Sequence, residues 1–265
     1  MILKIALIQS SLDWGNIERN LSEFGKKAIS CADCDIILLP EMFPAGAMMV
    51  TREPAVMKAE RERIADQYEE VKRKMQEWAG KTGALVMGST VCREKECYYN
   101  RLIAAFPDGK TGYYDKRHCF RMGGENEYFT PGRARVLFEY KGVKIAAFIC
   151  YDLRFPVWSR NVEKYDLAVY VANWPASRRQ VWQTLLRARA IENQCYVAGV
   201  NCVGTDGSGL AYAGDSALID AKGETVGVAG EGKEEILVAE LDTDALEAFR
   251  KKFAVLEDRD GFELK

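Results

Sequence analysis

The sequence is poor in histidine and in net charge. It contains one histidine, His118, which excludes a zinc site of two or three imidazoles and any relay that needs a second histidine. Lysine and arginine (37) nearly balance aspartate and glutamate (39), which leaves a formal charge of −2 and no basic stripe for a phosphate backbone. We therefore expect no nucleic-acid partner.

Long hydrophobic runs are also missing. No apolar stretch reaches the roughly 18 to 20 residues of a membrane-spanning helix, so we expect no membrane segment. Residues 3–9 form an apolar, strand-like run at the N-terminus, without the charged start and cleavage site of a signal peptide. Eight cysteines without an export signal are expected to be reduced thiols, which indicates a cytoplasmic location.

Short apolar runs recur along the chain and are typical of strands inside a sheet. They cover residues 35–39, 85–88, 102–106, 143–149, 167–172, 196–200 and 236–238. Helical patterns cover residues 17–30, 56–81, 178–194 and 242–252. Turn sequences at residues 107–110 and 220–223 predict two hairpins. No linker, low-complexity tract or repeat divides the chain, so we predict a single domain, residues 1–265, with two sheets.

Cys31 and Cys34 have the Cys-x-x-Cys spacing of redox and metal sites. No second pair follows, and the two thiols lie at a predicted helix end. We therefore interpret them as structural. A redox or metal function is the alternative, and it predicts that replacing both with serine abolishes activity.

Three chemically useful side chains follow predicted strands directly. Cys150 closes the apolar run 143–149, Glu41 follows Pro40 at the end of the run 35–39, and Lys116 comes after a short strand-like segment. In open α/β sheets ligands bind beyond the carboxyl ends of strands, and a nucleophile on a sharp turn exposes its side chain there. Position alone leaves a packing cysteine, a surface carboxylate and a solvated lysine as alternatives.

The segments around these residues resemble the signature motifs of the nitrilase superfamily of carbon–nitrogen hydrolases. The base motif is similar to residues 38–43 (LLPEMF), the lysine motif to residues 114–118 (YDKRH) and the nucleophile motif to residues 149–156 (ICYDLRFP). Further similarity is found in segments 124–132, 170–175 and 187–193, so the resemblance covers almost the whole chain.

The resemblance implies an α/β fold of four layers. This αββα sandwich has two mixed sheets between helix layers, and two protomers pair through helices beside the nucleophile turn. A homodimer is therefore expected. We expect no cofactor and no metal ion.

The resemblance also implies a Cys-Glu-Lys triad that cleaves an amide through a thioester. Cys150 is the expected nucleophile, Glu41 the base, and Lys116 the cation that stabilises the oxyanion together with the backbone N–H of Tyr151. Glu125 aligns with an additional family glutamate that orients the lysine or the substrate. Glu127 is the competing candidate.

Within the superfamily, residues 114–118, 120–122 and 150–161 look most similar to bacterial omega-amidases. This similarity implies a small ω-amide of a 2-oxo acid, such as 2-oxoglutaramate or 2-oxosuccinamate. Cys119 departs from the pattern, because an apolar residue such as leucine is expected there. Because Cys119 follows the lysine motif directly, this difference affects the expected lining of the pocket.

A substrate of this kind carries a carboxylate, which a guanidinium binds in a bidentate manner. Arg154, on the nucleophile turn, is our first choice for that partner. The alternatives are Arg117, Arg121 and Arg178. Phe43 and Trp174 follow strand ends and are candidates for the pocket wall, with core packing as the alternative for both.

Two other functions are compatible with Glu41, Lys116 and Cys150. A deaminated-glutathione or N-carbamoyl amidase shares the triad and differs in substrate. A non-catalytic scaffold that retains the fold is a different class, and the intact glutamate, lysine and cysteine argue against it.

Overall fold

Strands and helices are described for residues 1–46 and 53–263 of the computed structural model. The strands are β1 (Ile2–Gln9), β2 (Ile36–Leu38), β3 (Leu85–Glu94), β4 (Cys97–Ala105), β5 (Thr111–Asp115), β6 (Leu137–Tyr140), β7 (Val143–Ile149), β8 (Leu167–Ala172), β9 (Tyr196–Asn201), β10 (Val203–Thr205), β11 (Ala211–Ala213), β12 (Ala217–Ile219), β13 (Thr225–Val228) and β14 (Glu235–Asp242). The α-helices are α1 (Ile17–Ile29), α2 (Pro54–Ala65), α3 (Tyr68–Thr82), α4 (Glu125–Tyr128), α5 (Arg179–Asn193) and α6 (Thr243–Lys252). Short 3₁₀ turns cover Arg121–Gly123, Cys150–Arg154, Ala176–Arg178 and Val255–Asp258.

The first sheet has the strand order β14-β1-β2-β3-β4-β5. Strands β1, β2 and β3 are parallel, because helices connect each to the next, whereas β14, β4 and β5 pair in an antiparallel manner. The register sets Ile5 beside Ile36 and Ile36 beside Leu85. Strand β14 lies next to β1, so the first and the last of the described strands pair in this sheet.

The second sheet has the order β13-β12-β9-β8-β7-β6. Its centre is parallel (β7, β8, β9), and α5 forms the crossover from β8 to β9. Strands β6, β12 and β13 add antiparallel edges. The central strands β8 and β9 are buried along their whole length, which explains their continuous apolar sequence.

The core forms two clusters of buried side chains. Ile5 and Leu7 of β1 belong to the larger cluster, which also extends to Trp182 of α5 on the second sheet. Phe24 of α1 and Trp78 of α3 pack against the other face of the first sheet. Two mixed sheets therefore lie between helices, and the predicted αββα sandwich is confirmed.

The single helix predicted over residues 56–81 is wrong. The structure has two helices, Pro54–Ala65 and Tyr68–Thr82, separated by Asp66 and Gln67. The apolar positions 57, 64, 71 and 78 are seven residues apart, so the sequence pattern continues without interruption across the break between the two helices. Both helices pack on strand β3 of the first sheet, but α2 also contacts α4, whereas α3 also contacts α1, so the chain bends between them.

Hairpins join most antiparallel neighbours. The predicted turns at residues 107–110 and 220–223 connect β4 to β5 and β12 to β13, as expected. Two further hairpins turn at Lys95 and at Lys141, which have φ of +54° and +49°; Gly142, with φ of +74°, completes the second turn. In the described part of the chain no helix has the length and apolarity required to cross a lipid bilayer.

Candidate active site

Three strand ends deliver the predicted catalytic side chains to one cavity. Glu41 follows β2, Lys116 follows β5 directly, and Cys150 follows β7 directly. The first two strands belong to the first sheet and β7 to the second. The site therefore forms where the ends of the two packed sheets meet, and all three residues line the same cavity.

Glu41 sits in a tight, buried turn. Met42 has φ of +45°, a strained value for a residue with a side chain, and its N–H donates to Ser89 Oγ at 2.8 Å. The Glu41 carboxylate accepts from Lys116 Nζ at 2.8 Å and from the Asn173 N–H at 2.9 Å. Only 4% of Glu41 is exposed, so its carboxylate has a defined direction.

Lys116 is buried between two carboxylates. Its Nζ donates to Glu41 Oε1 at 2.8 Å and to Glu125 Oε2 at 2.8 Å. Burial opposes the charge, but the negative charges of Glu125 and Glu41 outweigh burial and hold the pKa of Lys116 well above its ordinary value. Lys116 is therefore a cation at neutral pH.

Glu125 is the glutamate that contacts the lysine, and the competing Glu127 is exposed on the same short helix. Besides Lys116, the Glu125 carboxylate accepts from the Phe120 N–H at 2.6 Å and from Asn100 Nδ2 at 3.3 Å. These contacts fix the loop between β5 and β6 against the lysine.

Two asparagines complete the surroundings of Glu41, and the sequence analysis assigned a role to neither. Asn100 Nδ2 donates to Glu41 Oε1 at 2.8 Å, and Asn173 Nδ2 donates to the Glu41 carbonyl at 2.8 Å. Asn100 is a polar residue beside the apolar run of strand β4. A polar side chain at such a position could have indicated from the sequence that Asn100 belongs to the site. Asn173 lies in the segment 170–175 that was noted only for its resemblance.

Cys150 has φ of +43°, so the nucleophile candidate occupies a strained turn between β7 and the 3₁₀ turn Cys150–Arg154. Its Sγ lies 3.9 Å from the Asn173 carbonyl oxygen. Burial and the negative charge of Glu41 raise the pKa of the Cys150 thiol well above its ordinary value, and Lys116 only partly opposes them. The resting group is a neutral thiol that needs a base.

Asp152 locks this turn to the loop that carries Lys116. Its buried carboxylate accepts from the Ile149 N–H at 3.0 Å and from Tyr114 Oη at 2.8 Å. It also accepts from the His118 N–H at 2.9 Å and contacts His118 Nδ1 at 2.7 Å. His118, the chain's one histidine, therefore contacts Asp152 and is not part of the cavity lining.

The cavity has a volume of about 80 Å³, which suits a small molecule. Besides the triad, its lining contains Glu125, Tyr151, Arg154, Trp174 and Arg178, together with Met42, Met57, Phe120, Gly123, Tyr128, Phe129, Asn173, Pro175, Leu210 and Tyr212. Most of the wall is apolar, and the charged groups are few.

Two of the four candidate arginines line this cavity. Arg154 lies over the Trp174 ring, 5.1 Å from its centroid, and Arg178 lies at the same distance over the Phe120 ring. Within residues 1–46 and 53–263 neither guanidinium forms an ion pair. By contrast, Arg117 donates to the Gly132 carbonyl away from the cavity, and Arg121 is exposed.

Phe43 does not form a pocket wall, and this prediction is corrected. The ring is fully buried and packs edge-on against Phe24 of α1, with Trp78 of α3 behind it. The turn at Met42 directs consecutive side chains to opposite sides, so Met42 reaches the cavity and Phe43 enters the core. Trp174 does line the cavity, as does Tyr151.

Cys31 and Cys34 are buried at the end of α1, away from this cavity, and both are free thiols. Burial raises the pKa of Cys34 to about 12, which makes it a poor nucleophile and metal ligand. Among the described residues no cluster of three or more histidine, cysteine or acidic side chains is arranged to hold a metal ion.

Comparison with known proteins identifies relatives along the whole chain. The carbon–nitrogen hydrolase family model matches residues 4–251. An omega-amidase YafV from Yersinia enterocolitica is 44% identical over 98% of both chains, and a 2-oxoglutaramate amidase from Bacillus subtilis is 32% identical over 96% of both. A solved CN-hydrolase superfamily protein from Xanthomonas campestris, with an arsenic adduct in its active site, is 38% identical, covers 100% of both chains and superposes with a TM-score of 0.93.

Proposed function

Since the chain belongs to the carbon–nitrogen hydrolase family, we propose that it is an omega-amidase, hydrolysing 2-oxoglutaramate or 2-oxosuccinamate to the 2-oxo acid and ammonia. The observation that carries this proposal is the meeting of Glu41, Lys116 and Cys150 in one small cavity. The relatives with omega-amidase and 2-oxoglutaramate amidase activity support the choice of substrate.

The first half-reaction forms a thioester. Glu41 takes the proton of the Cys150 thiol, and Sγ attacks the amide carbon. Lys116 and the backbone N–H of Tyr151 stabilise the resulting oxyanion; losing one such donor lowers the rate by about 10²–10³-fold in comparable sites. Glu41 then returns the proton to the nitrogen, the C–N bond breaks and ammonia leaves.

The second half-reaction hydrolyses the thioester. Glu41 removes a proton from water, the hydroxide attacks the acyl carbon, and Cys150 leaves with the proton. Glu125 acts by positioning Lys116, with which it shares two short contacts of 3.0 and 2.8 Å. It keeps the lysine charged through both steps.

The substrate carboxylate binds to Arg154 and Arg178. Both guanidiniums stack on aromatic rings, which orients their planes and leaves their N–H edges for a ligand. Trp174 contacts both residues: the Arg154 guanidinium lies over its ring, and its indole N–H donates to the Arg178 carbonyl at 2.9 Å. A carboxylate would neutralise this positive end of the cavity.

The test of the catalytic residues is ammonia release from 2-oxoglutaramate by wild type and Cys150→Ala. We expect the variant to show no release above the uncatalysed rate. Cys119→Ala is the matched control, because that thiol lies on the lysine loop, and we expect it to retain activity. Full activity of Cys150→Ala, or its retention after complete thiol alkylation, would reject the mechanism.

The substrate class is tested with a panel of amides. Wild type should prefer 2-oxoglutaramate or 2-oxosuccinamate over deaminated glutathione and N-carbamoyl compounds. Arg154→Gln and Arg178→Gln should each raise KM for the 2-oxo acid amides by about 10- to 100-fold, the value of one charge-assisted hydrogen bond. The same variants should leave kcat/KM for a neutral short-chain amide unchanged. Equal losses on both substrates would argue against a carboxylate site.

We also propose a homodimer. The surface beside the nucleophile turn exposes Val157 (53%), and α5 exposes Ile191 (49%). Such residues suit a face covered by a second copy. Sedimentation should give twice the monomer mass, and Val157→Glu together with Ile191→Glu should shift the mass to that of one chain.

A cytoplasmic location is proposed from the thiols. All eight cysteines are free, and their reduced state agrees with a reducing compartment. Fractionation of the native cells should recover the protein and its amidase activity in the cytoplasmic fraction.

A further inference from the structure

A small hairpin forms one wall of the active-site cavity. Strands β10 and β11 pair with each other in a sheet of their own, outside the two six-stranded sheets. Leu210, at the end of the connecting turn, and Tyr212 of β11 both line the cavity. A two-stranded hairpin is marginally stable by itself, so the position of this wall depends on the contacts that hold it.

Asp206 closes the turn of this hairpin from a buried position. Its Oδ1 accepts from the Ser208 N–H at 2.8 Å, from Ser208 Oγ at 2.7 Å and from the Leu210 N–H at 3.0 Å. Its Oδ2 accepts from Tyr212 Oη at 3.1 Å. Burial raises the pKa of Tyr212 well above its ordinary value, so the hydroxyl keeps its proton and remains the donor. One carboxylate therefore contacts both cavity-lining residues of the hairpin.

The hairpin of β12 and β13 has the same turn and shows what the turn itself requires. Asp220 Oδ1 accepts from the Lys222 N–H at 2.9 Å and from the Glu224 N–H at 2.8 Å. The backbone contacts also match: each aspartate N–H donates to the carbonyl four residues later, and each aspartate carbonyl accepts from the glycine N–H three residues later. Such a turn is closed through one carboxylate oxygen. The contact of the second oxygen of Asp206 with Tyr212 is therefore an addition to the turn.

Tyr212 also joins the hairpin to the rest of the site. Its ring stacks on Trp14, with the centroids 5.4 Å apart, and its backbone pairs with Pro175 in an isolated antiparallel β-bridge. Pro175 lines the cavity and follows Trp174, whose ring lies under the Arg154 guanidinium. The hairpin wall is thus attached to the segment that carries part of the proposed carboxylate site.

The chemistry of the wall suits the middle of the proposed substrate. The catalytic groups and the two arginines contact its polar ends, the amide and the carboxylate. The methylenes between these ends have the apolar lining to contact, and Leu210 belongs to that lining. Since packed side chains leave little free volume, a longer acyl chain fits only where the wall gives way.

We propose that Asp206 is a positioning residue that fixes Leu210 and Tyr212 and thereby limits the length of the acyl chain that the cavity accepts. The inference rests on the amidase function proposed above and specifies its substrates as the ω-amides no longer than 2-oxoglutaramate. Asp206 acts through the hairpin wall and does not touch the substrate. Its loss releases the wall, whereas the contact between Glu41 and Lys116 does not involve the hairpin.

The experiment measures kcat/KM for 2-oxoglutaramate and for the ω-amide of 2-oxoadipate, which is longer by one methylene. Wild type should prefer the shorter amide. Asp206→Ala should raise KM for 2-oxoglutaramate by about fivefold, with a much smaller change in kcat. It should also shift the ratio of the two kcat/KM values towards the longer amide by about tenfold, which is the discrimination that one methylene provides in an apolar pocket. A general structural loss would lower both values in parallel, and an unchanged ratio would overturn the proposal.

Two milder variants test the same wall if Asp206→Ala does not fold. Tyr212→Phe removes the hydroxyl that donates to Asp206 and keeps the ring on Trp14, so the ratio should shift in the same direction by about two- to fivefold. Leu210→Ala shortens the wall directly and should shift the ratio by about tenfold. Wild-type ratios in both variants would overturn the proposal by themselves.

Asp220→Ala is the matched control. It removes the same turn contacts from the other hairpin, and Asp220 lies outside the described cavity lining. Its loss should lower stability and leave KM, kcat and the ratio at their wild-type values; a shift equal to that of Asp206→Ala would overturn the proposal. If wild type releases ammonia from neither amide, the proposed function fails. If wild type is active and the ratio stays unchanged in the hairpin variants, only the present inference fails.

Discussion

At the scale of single residues, the site depends on one buried cation shared by two carboxylates. Lys116 is 3% exposed, and its charge is maintained by Glu41 and Glu125 against the desolvation that burial imposes. The same ammonium that neutralises the two glutamates at rest faces the oxyanion in the proposed reaction. Stability and catalysis are therefore coupled at this residue.

Lys116→Met should damage both properties. We expect at least a 10²–10³-fold loss of kcat, roughly the contribution of one oxyanion donor. The unpaired buried carboxylates should lower the free energy of unfolding by about 3 kcal/mol. Ammonia release and urea denaturation measure the two effects.

Lys141→Met is the control for the ion pair itself. Lys141 pairs with Asp35 at 2.5 Å on the surface, where its side chain is 47% exposed. Such pairs contribute at most about 1 kcal/mol, and this one is far from the cavity. A Lys116 variant as stable as this control would contradict the coupling.

At the scale of elements, strand β3 supports the turn that carries Glu41. A Cβ on Gly88 would lie 2.9 Å from Leu39 Cβ and 3.0 Å from Phe43 Cδ1, which is closer than packed atoms allow. Because Gly88 has no side chain, Leu39 at the end of β2 and Phe43 can pack directly against β3. The position of Glu41, the proposed base, depends on that contact.

Gly88→Ala should displace the turn. We expect a loss of about 1–3 kcal/mol in stability from overpacking and a reduced kcat, because Glu41 moves relative to Cys150. Gly80→Ala should have the opposite sign: Gly80 is in the exposed face of α3 with nothing within 4 Å of the added Cβ, so helix propensity should raise stability by about 0.5–1 kcal/mol. Thermal unfolding and steady-state kinetics distinguish the two variants, and an active, unchanged Gly88→Ala enzyme would refute the argument.

At the scale of the whole molecule, burial of thiols makes stability depend on pH. Burial raises the pKa of Cys34 to about 12 and that of Cys92 to about 11. In the unfolded chain a thiol loses its proton near pH 8.5. Above that pH the unfolded chain binds fewer protons than the native chain, so stability falls as pH rises.

The urea midpoint measured under reducing conditions should therefore decrease continuously between about pH 8.5 and pH 11. Cys34 stays protonated in the native chain over this window and Cys92 over most of it, whereas the unfolded thiols do not. Replacing Cys34 and Cys92 with alanine should make the pH dependence less steep, even though it lowers the midpoint itself. A midpoint independent of pH up to 10.5 would contradict this linkage.

Much of the fold could be predicted because its signals are local. The strands Val143–Ile149 and Leu167–Ala172 have the bounds expected from their apolar runs, since every residue of them except Lys144 is apolar or aromatic and buried. The helix predicted over residues 56–81 failed, since the break at Asp66 and Gln67 depends on what α2 and α3 pack against. A local pattern with a seven-residue spacing does not contain that information.

In the site, too, some features could be predicted from local sequence and others depend on tertiary packing. The residue types of Glu41, Lys116 and Cys150, and their places after strands, could be read along the chain, because a strand end exposes whatever side chain follows it. Tertiary structure decided that Glu125 and not Glu127 contacts the lysine and that Phe43 enters the core. It also decided that Asn100 and Asn173 surround Glu41. These contacts join residues far apart in sequence, and only the packing of two sheets sets the distances and directions between them.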